Sequence, residues 1–131
     1  MADAMTVATR ELVREYMRLY LEKDIDGMAG LLADGFTLLT RQGAITTVAD
    51  YRTWVHNTIK LSENAEVAWK VESETYSGEY GLYIVSLGRT IPLVALTFYC
   101  TNGKILFFSL ASYAEGLVAR SEGIGRYRQE I

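Results

Sequence analysis

The residues that could carry acid–base or metal chemistry in this chain are few and scattered. The one histidine, His56, shares its side of a helical segment with Arg52, Thr53, Asn57 and Lys60. That neighbourhood predicts an exposed surface residue, because a general base must first lie within reach of the proton it takes. The one cysteine, Cys100, lies in an apolar strand-like run, so neither a disulfide framework nor a thiolate metal cluster can form within one chain. Glu72 and Glu74 alternate opposite Val67, Trp69 and Val71 and are expected to be solvated. With Glu79 and Glu115 they are the acids that a register slip or a folded-over tail would bring toward a site. No phosphate loop, zinc-ligand spacing or Ser/His/Asp arrangement occurs, so no metal or nucleotide cofactor is expected. What remains is hydroxyl chemistry, beginning with Tyr16 and Tyr20, one turn apart on an apolar helical stripe.

The elements that must hold these groups follow from periodicity. From Thr6 to Leu21, the positions Leu12, Val13, Tyr16, Met17, Tyr20 and Leu21 recur at helical spacing, with Arg10, Glu11, Arg14, Glu15 and Arg18 elsewhere. Asp24 reads as the N-cap of a second helix with Asp26 in its first turn, and Gly35 as its stop. Both aspartates are read as structural. Phe36 to Thr40 predicts a short strand and Arg41-Gln42-Gly43 a turn. Thr47 and Asp50 then open a third helix with the inward stripe Tyr51, Trp54, Val55, Thr58 and Ile59, running to about Leu61. From Ala65 the period becomes alternating. Strands are expected to about Glu74, over Tyr80 to Leu87, over Ile91 to Thr101 and over Lys104 to Tyr113. Ser77-Gly78 and Gly88-Arg89 mark turns, Pro92 falls where a strand start tolerates it, and Asn102-Gly103 is the strongest hairpin signal.

Helices first and a strand meander afterwards define an α+β domain, with a twisted antiparallel sheet curling around the helices. The 131 residues fit one domain that buries roughly two thirds of its unfolded surface. The tail 114–131, with Gly116, Gly123 and Gly125 among charges, is left open between a short helix, a lid and a disordered end. A net charge of −3 without like-charge runs excludes a nucleic-acid footprint. No apolar window reaches the roughly 18 residues of a membrane span, and no export signal precedes the first helix. A reduced, cytoplasmic setting is expected. A hydrophobic fraction of 50% points to an apolar cavity, a subunit interface, or both.

The order of elements resembles the nuclear-transport-factor-2-like superfamily, most closely its ketosteroid isomerase and SnoaL-like cyclase branch. The carriers are Glu15-Tyr16, Asp24-Ile25-Asp26-Gly27, Leu31-Leu32-Ala33-Asp34, Tyr51-Arg52-Thr53-Trp54 with Asn57 and Lys60-Leu61, Gly88-Arg89, and Phe98-Tyr99 before Asn102-Gly103. The resemblance implies a cone-shaped, cystatin-like fold, a hydrophobic pocket between helices and sheet, and a homodimer through the sheet's convex face. It also places Tyr16 on the isomerase's oxyanion-donating tyrosine, an enzyme that is a standard example of a neutral acid beside a tyrosine. At the positions of the isomerase's two carboxylates stand Thr40 and Thr97. A threonine hydroxyl is too weak a base to take a carbon-bound proton, so the isomerase reaction does not transfer directly. The aspartates of the epoxide hydrolases and the histidine pairs of the dehydratases also lack counterparts.

Under this resemblance Tyr16, Thr40 and Thr97 are the expected hydrogen-bonding catalytic set. Tyr80, Leu82, Ile84, Ala95, Thr97, Tyr99, Phe108, Leu110 and Ser112 are expected to face the pocket, with Tyr20 and Trp54 completing its wall. Ordinary core packing is the alternative for each aromatic, although several buried tyrosines together need partners for their hydroxyls. Two functions follow as expectations. One is a small-molecule enzyme (isomerase, cyclase or lyase) acting on a hydrophobic oxygenated compound such as a polyketide, steroid or terpenoid. The other is a ligand-binding or self-associating module without turnover.

Overall fold

The computed structural model describes residues 3–40, 43–64, 69–87 and 93–112. The expectations on Arg41-Gln42, Ala65 to Val67, Gly88-Arg89, Pro92, Glu115 and the tail lie outside them.

Helix α1 spans Ala4–Leu21 and is capped by Asp3, whose carboxylate accepts the Thr6 N–H at 2.7 Å. Its buried residues Thr9, Val13, Tyr16, Met17 and Leu19 form the inward stripe. Lys23, at φ 61°, turns the chain, and Asp24 caps α2 (Ile25–Gly30) by accepting the Gly27 N–H at 2.9 Å. The expected continuation of this helix to Gly35 is not observed: the chain leaves it after Gly30 and enters β1 (Leu32–Thr40). Two long-range bonds stop it there. Lys104 Nζ donates to the Gly30 carbonyl at 2.6 Å and the Ile105 N–H to the Leu31 carbonyl at 2.8 Å, filling acceptors that another helical turn would have used. Gly35, at φ +78°, instead lies within β1 where the ladder slips.

A short strand not foreseen in the sequence, β2 (Gly43–Ile45), pairs back on β1. Helix α3 spans Val48–Asn64; the Thr47 hydroxyl accepts the Asp50 N–H, and Tyr51, Val55 and Ile59 are buried. Then come β3 (Trp69–Ser77), β4 (Tyr80–Leu87), β5 (Leu93–Thr101) and β6 (Lys104–Ser112). The hairpin at Asn102 and Gly103 has positive φ at both residues, as a type I′ turn requires. The sheet order is β2-β1-β6-β5-β4-β3. It is mixed rather than all antiparallel, because β1 runs parallel to β6. No helix among the described residues is long and apolar enough to cross a membrane.

The sheet's inner face carries Tyr83 and Val85 of β4, Val94, Leu96, Phe98 and Cys100 of β5, and Ile105 and Phe108 of β6, all buried. Pairs such as Tyr83 with Leu96 and Phe98 with Phe108 hold them on one side. Tyr80, Leu82 and Ile84, opposite Tyr99, Thr97 and Ala95, therefore face outward, contrary to the expected pocket face. Both faces of β4 and β5 are apolar, so alternation alone cannot choose between two phases one residue apart. In β3 an extra residue, Glu72, sits between the Val71–Val85 and Ser73–Ile84 pairs and reverses the phase. Glu74, expected to be solvated, thereby turns to the helix side opposite Tyr83, with Tyr76 next to it on that face. Gly81 makes room for Tyr76: a Cβ there would lie 2.9 Å from its ring.

Candidate ligand cavity and tyrosine pair

Tyr16 reaches the middle of the core because α1 lays its apolar stripe across β3, β4 and β5. Its ring meets Phe98 and Phe108 edge-on at 5.7 and 5.5 Å, and those two rings stack on each other at 5.7 Å. Its hydroxyl lies 2.8 Å from that of Tyr51, the first inward residue of α3. Tyr51 is in turn packed by Phe36, Phe108 and Trp54, with centroids 6.1 to 6.3 Å away. Tyr16 is 2% exposed and Tyr51 fully buried.

Burial pushes the Tyr16 phenol well above its ordinary value of 10.0, and the charge and hydrogen bond of Tyr51 push it further. Burial raises Tyr51 too, against the hydrogen bond from Tyr16, which lowers it. The nearby Tyr20, half-buried, adds an unfavourable charge to both. At neutral pH the pair is protonated. Each phenol carries one donor and the shared bond uses one, so the pair keeps a second O–H. A neutral O–H in dry aromatic surroundings is suited to meeting negative charge that develops on a ligand oxygen. Sequence reasoning placed Tyr51 on the inward stripe but missed it as the partner of Tyr16. The signal was present: a buried phenol needs a partner, and α3 offers a tyrosine on its core face.

Next to this pair, between the β1–β2 hairpin and α3, lies an open cavity of about 380 Å³ lined by Thr40, Gly43, Ala44, Ile45, Trp54, Asn57 and Thr58. Trp54 lines the cavity on one side and contacts Tyr51 on the other. Thr40 donates its hydroxyl proton to the Gly43 carbonyl at 2.9 Å, and Thr58 to the Trp54 carbonyl at 2.8 Å. Asn57, Thr58 and Ile45 were not among the expected site residues; β2 itself was not foreseen.

Of the expected catalytic set, Tyr16 is in the core and Thr40 lines the cavity, but Thr97 does not join them. It is exposed on the outer face, opposite Leu82 and Ser109, one residue out of phase with the Phe98 that touches Tyr16. Phe108 packs under Tyr16, and Leu110 and Tyr20 are partly buried against the core. Tyr80 is 61% exposed and its ring lies tilted against that of Tyr99, centroids 5.0 Å apart, away from the cavity. Ser112 ends β6. His56 is exposed. Among the described residues no group of His, Cys, Asp and Glu is placed to hold a metal ion.

A second polar cluster lies at the sheet's edge. Arg14 Nε donates to Glu74 Oε1 at 2.8 Å, and the Tyr76 hydroxyl donates to the same oxygen at 2.8 Å. The Arg14 guanidinium holds the Glu74 carboxyl below its ordinary value, while burial and then Glu74 raise Tyr76.

No family model matches the chain, and no curated protein matches its sequence. Solved structures do match in shape. An NTF2-like protein of unknown function from Cytophaga hutchinsonii is 15% identical, with 90% of this chain and 99% of that one covered at a TM-score of 0.67. A candidate ketosteroid isomerase from Kribbella flavida is 19% identical over 82% and 78% of the two chains, with a TM-score of 0.67. A candidate polyketide cyclase from Sinorhizobium meliloti is 14% identical over 77% and 94%, with a TM-score of 0.64. At such identities the likeness is one of fold.

Proposed function

We propose that this chain, which has the NTF2-like, cystatin-like α+β fold, is a small-molecule enzyme of SnoaL-like type. Its substrate is a hydrophobic, oxygen-bearing compound such as a polyketide, steroid or terpenoid, and its reaction an isomerisation, cyclisation or elimination. The observation that carries this reading is the buried Tyr16–Tyr51 pair adjoining, through Trp54, a cavity of ligand-binding size. The cavity wall selects a reactive conformer of the substrate, and a substrate oxygen that reached past Trp54 would meet the pair's second O–H, which would stabilise charge developing on it. Thr40 contributes to the wall of the cavity. Neither step requires a carboxylate base, and no carboxylate is among the described lining residues. A homodimer across the outer face, where Tyr80 is 61% exposed, and a reducing cytoplasmic setting for the Cys100 thiol belong to the same proposal.

A second reading, ligand binding without turnover, is favoured by one observation: the Tyr16 hydroxyl is already engaged and buried. Steady-state kinetics and calorimetry on a panel of cyclic ketones and hydroxyketones separate the two. An enzyme loses kcat far more than affinity when Tyr16 or Tyr51 becomes Phe, because a transition-state hydrogen bond raises the rate rather than ground-state binding. A binder yields no product with any member of the panel and changes only in Kd. Conjugated-enone absorbance from an unconjugated ketosteroid tests the isomerase reaction directly, and rapid turnover there would overturn the argument that it needs a carboxylate at Thr40 or Thr97.

A further inference from the structure

The donor and acceptor inventory of the cavity restricts what it accepts. Its described lining contains no Asp, Glu, Lys, Arg or His, so among the described lining residues a ligand carboxylate meets no counter-charge, and whatever water it gives up on entering is not made good by an ion pair with them. The lining threonines are committed as donors. A hydroxyl carries one proton, and Thr40 and Thr58 each give theirs to a backbone carbonyl, of Gly43 and of Trp54. They do not donate to a ligand in this geometry. The side-chain donors that remain are the Trp54 indole and the Asn57 amide, three residues apart on the same face of α3. Asn57 alone of the lining side chains offers two N–H groups together with an amide carbonyl. It can thus donate to a ketone, accept from an alcohol, or do both for neighbouring oxygens.

We infer that Asn57 is the specificity-determining residue of this cavity, and that the cavity selects neutral hydroxy- or keto-compounds over carboxylates of the same carbon skeleton. The inference rests on the reading of the cavity as the ligand site. Ile45 and the Trp54 ring hold the apolar body of the ligand, and Asn57, exposed at the mouth, reads its oxygen.

The test uses the full chain with three probes of one skeleton, naphthalene, 2-naphthol and 2-naphthoate, followed by NMR shifts of the Trp54 indole N–H and by calorimetric Kd. The expected result is that 2-naphthol binds at least tenfold tighter than 2-naphthoate. Asn57→Leu should then weaken 2-naphthol at least tenfold and leave naphthalene within a factor of two. Asn57→Ser, which keeps a small polar group, should fall between. Circular dichroism establishes that each variant is folded. Equal affinity for 2-naphthol and 2-naphthoate, or an Asn57→Leu protein that binds 2-naphthol like the wild type, overturns the inference while the cavity remains the ligand site. If no probe moves the Trp54 resonance, the cavity reading itself falls and the inference with it.

Discussion

Two tyrosine-centred clusters draw on residues of a single turn of α1, Arg14 and Tyr16, and they differ in almost every physical respect. Tyr16 and Tyr51 form a neutral pair closed in by Phe36, Phe98, Phe108 and Trp54. Tyr76, Glu74 and Arg14 form a charged triad at the sheet's edge, where the Arg14 and Glu74 side chains are 50% and 25% exposed. A phenol donates in each, and the surroundings decide what it does. In the dry pair a lost partner cannot be replaced by water, so each hydroxyl depends on the other. At the edge water stands ready, and the ion pair chiefly orients α1 against β3.

The largest effect should come from opening the dry side. Phe98→Ala removes a fully buried ring that both stacks on Phe108 and touches Tyr16. It should cost about 3–5 kcal/mol in urea unfolding. Tyr51→Phe, which strands the Tyr16 hydroxyl, should cost about 1–3 kcal/mol. The Tyr16→Phe/Tyr51→Phe double variant should lose clearly less than the two single losses added together, and simple additivity would mean that the hydroxyls do not depend on each other.

The third effect is a pH dependence. Both phenols hold their protons in the fold above the value of 10.0 at which an unfolded tyrosine ionises. Their stabilising contribution is therefore complete below pH 10 and declines as pH rises above it. Unfolding free energies measured through the alkaline range should fall less steeply in the double Phe variant than in the wild type. The smallest effect belongs to the triad. Glu74→Gln should cost at most about 1 kcal/mol at neutral pH, and less in high salt. Because Arg14 lowers the Glu74 carboxyl in the fold, its contribution is present above the ordinary value of 4.5 and lost as acid protonates it. Variant and wild type should converge in acid. A gap as large as that of Tyr51→Phe would erase the distinction between the clusters.

Much of the architecture was legible because local chemistry enforced it. Asp24 and Thr47 cap helices, Asn102-Gly103 makes the hairpin, and Val13, Tyr16 and Met17 of α1 and Tyr51, Val55 and Ile59 of α3 are buried as their spacing demands, whereas Leu21, expected on the α1 stripe, is 61% exposed at the helix end. What escaped was fixed by partners distant in sequence. Helix α2 ends where β6 supplies Lys104 and the Ile105 amide. Strand β2 exists only as an addition to β1. The face presented by β4 and β5 was chosen by packing, since either phase would bury apolar side chains. Thr97 was lost from the site for that reason, and Glu74 was turned inward by a single extra residue in β3 that alternation cannot reveal. The burial of Tyr16 followed from its place on the α1 stripe; Tyr51, its hydrogen-bond partner, came from the next long helix.

The parallel ladder between β1 and β6 has a bearing on how the chain reaches this state. The β3–β6 meander closes through neighbouring pairs, two of its turns being as short as those at Gly78 and Asn102-Gly103. β1 joins it only by matching Leu38 with Phe108, residues from opposite halves of the chain. Closing so large a loop costs entropy before any contact compensates for it. Docking of β1 onto β6 is thus the step expected to be slowest in folding, which stopped-flow refolding of a Leu38→Ala variant would test. The floor beneath the tyrosine pair, where Tyr16 meets Phe108, thus spans the same two distant parts of the chain as that long-range closure.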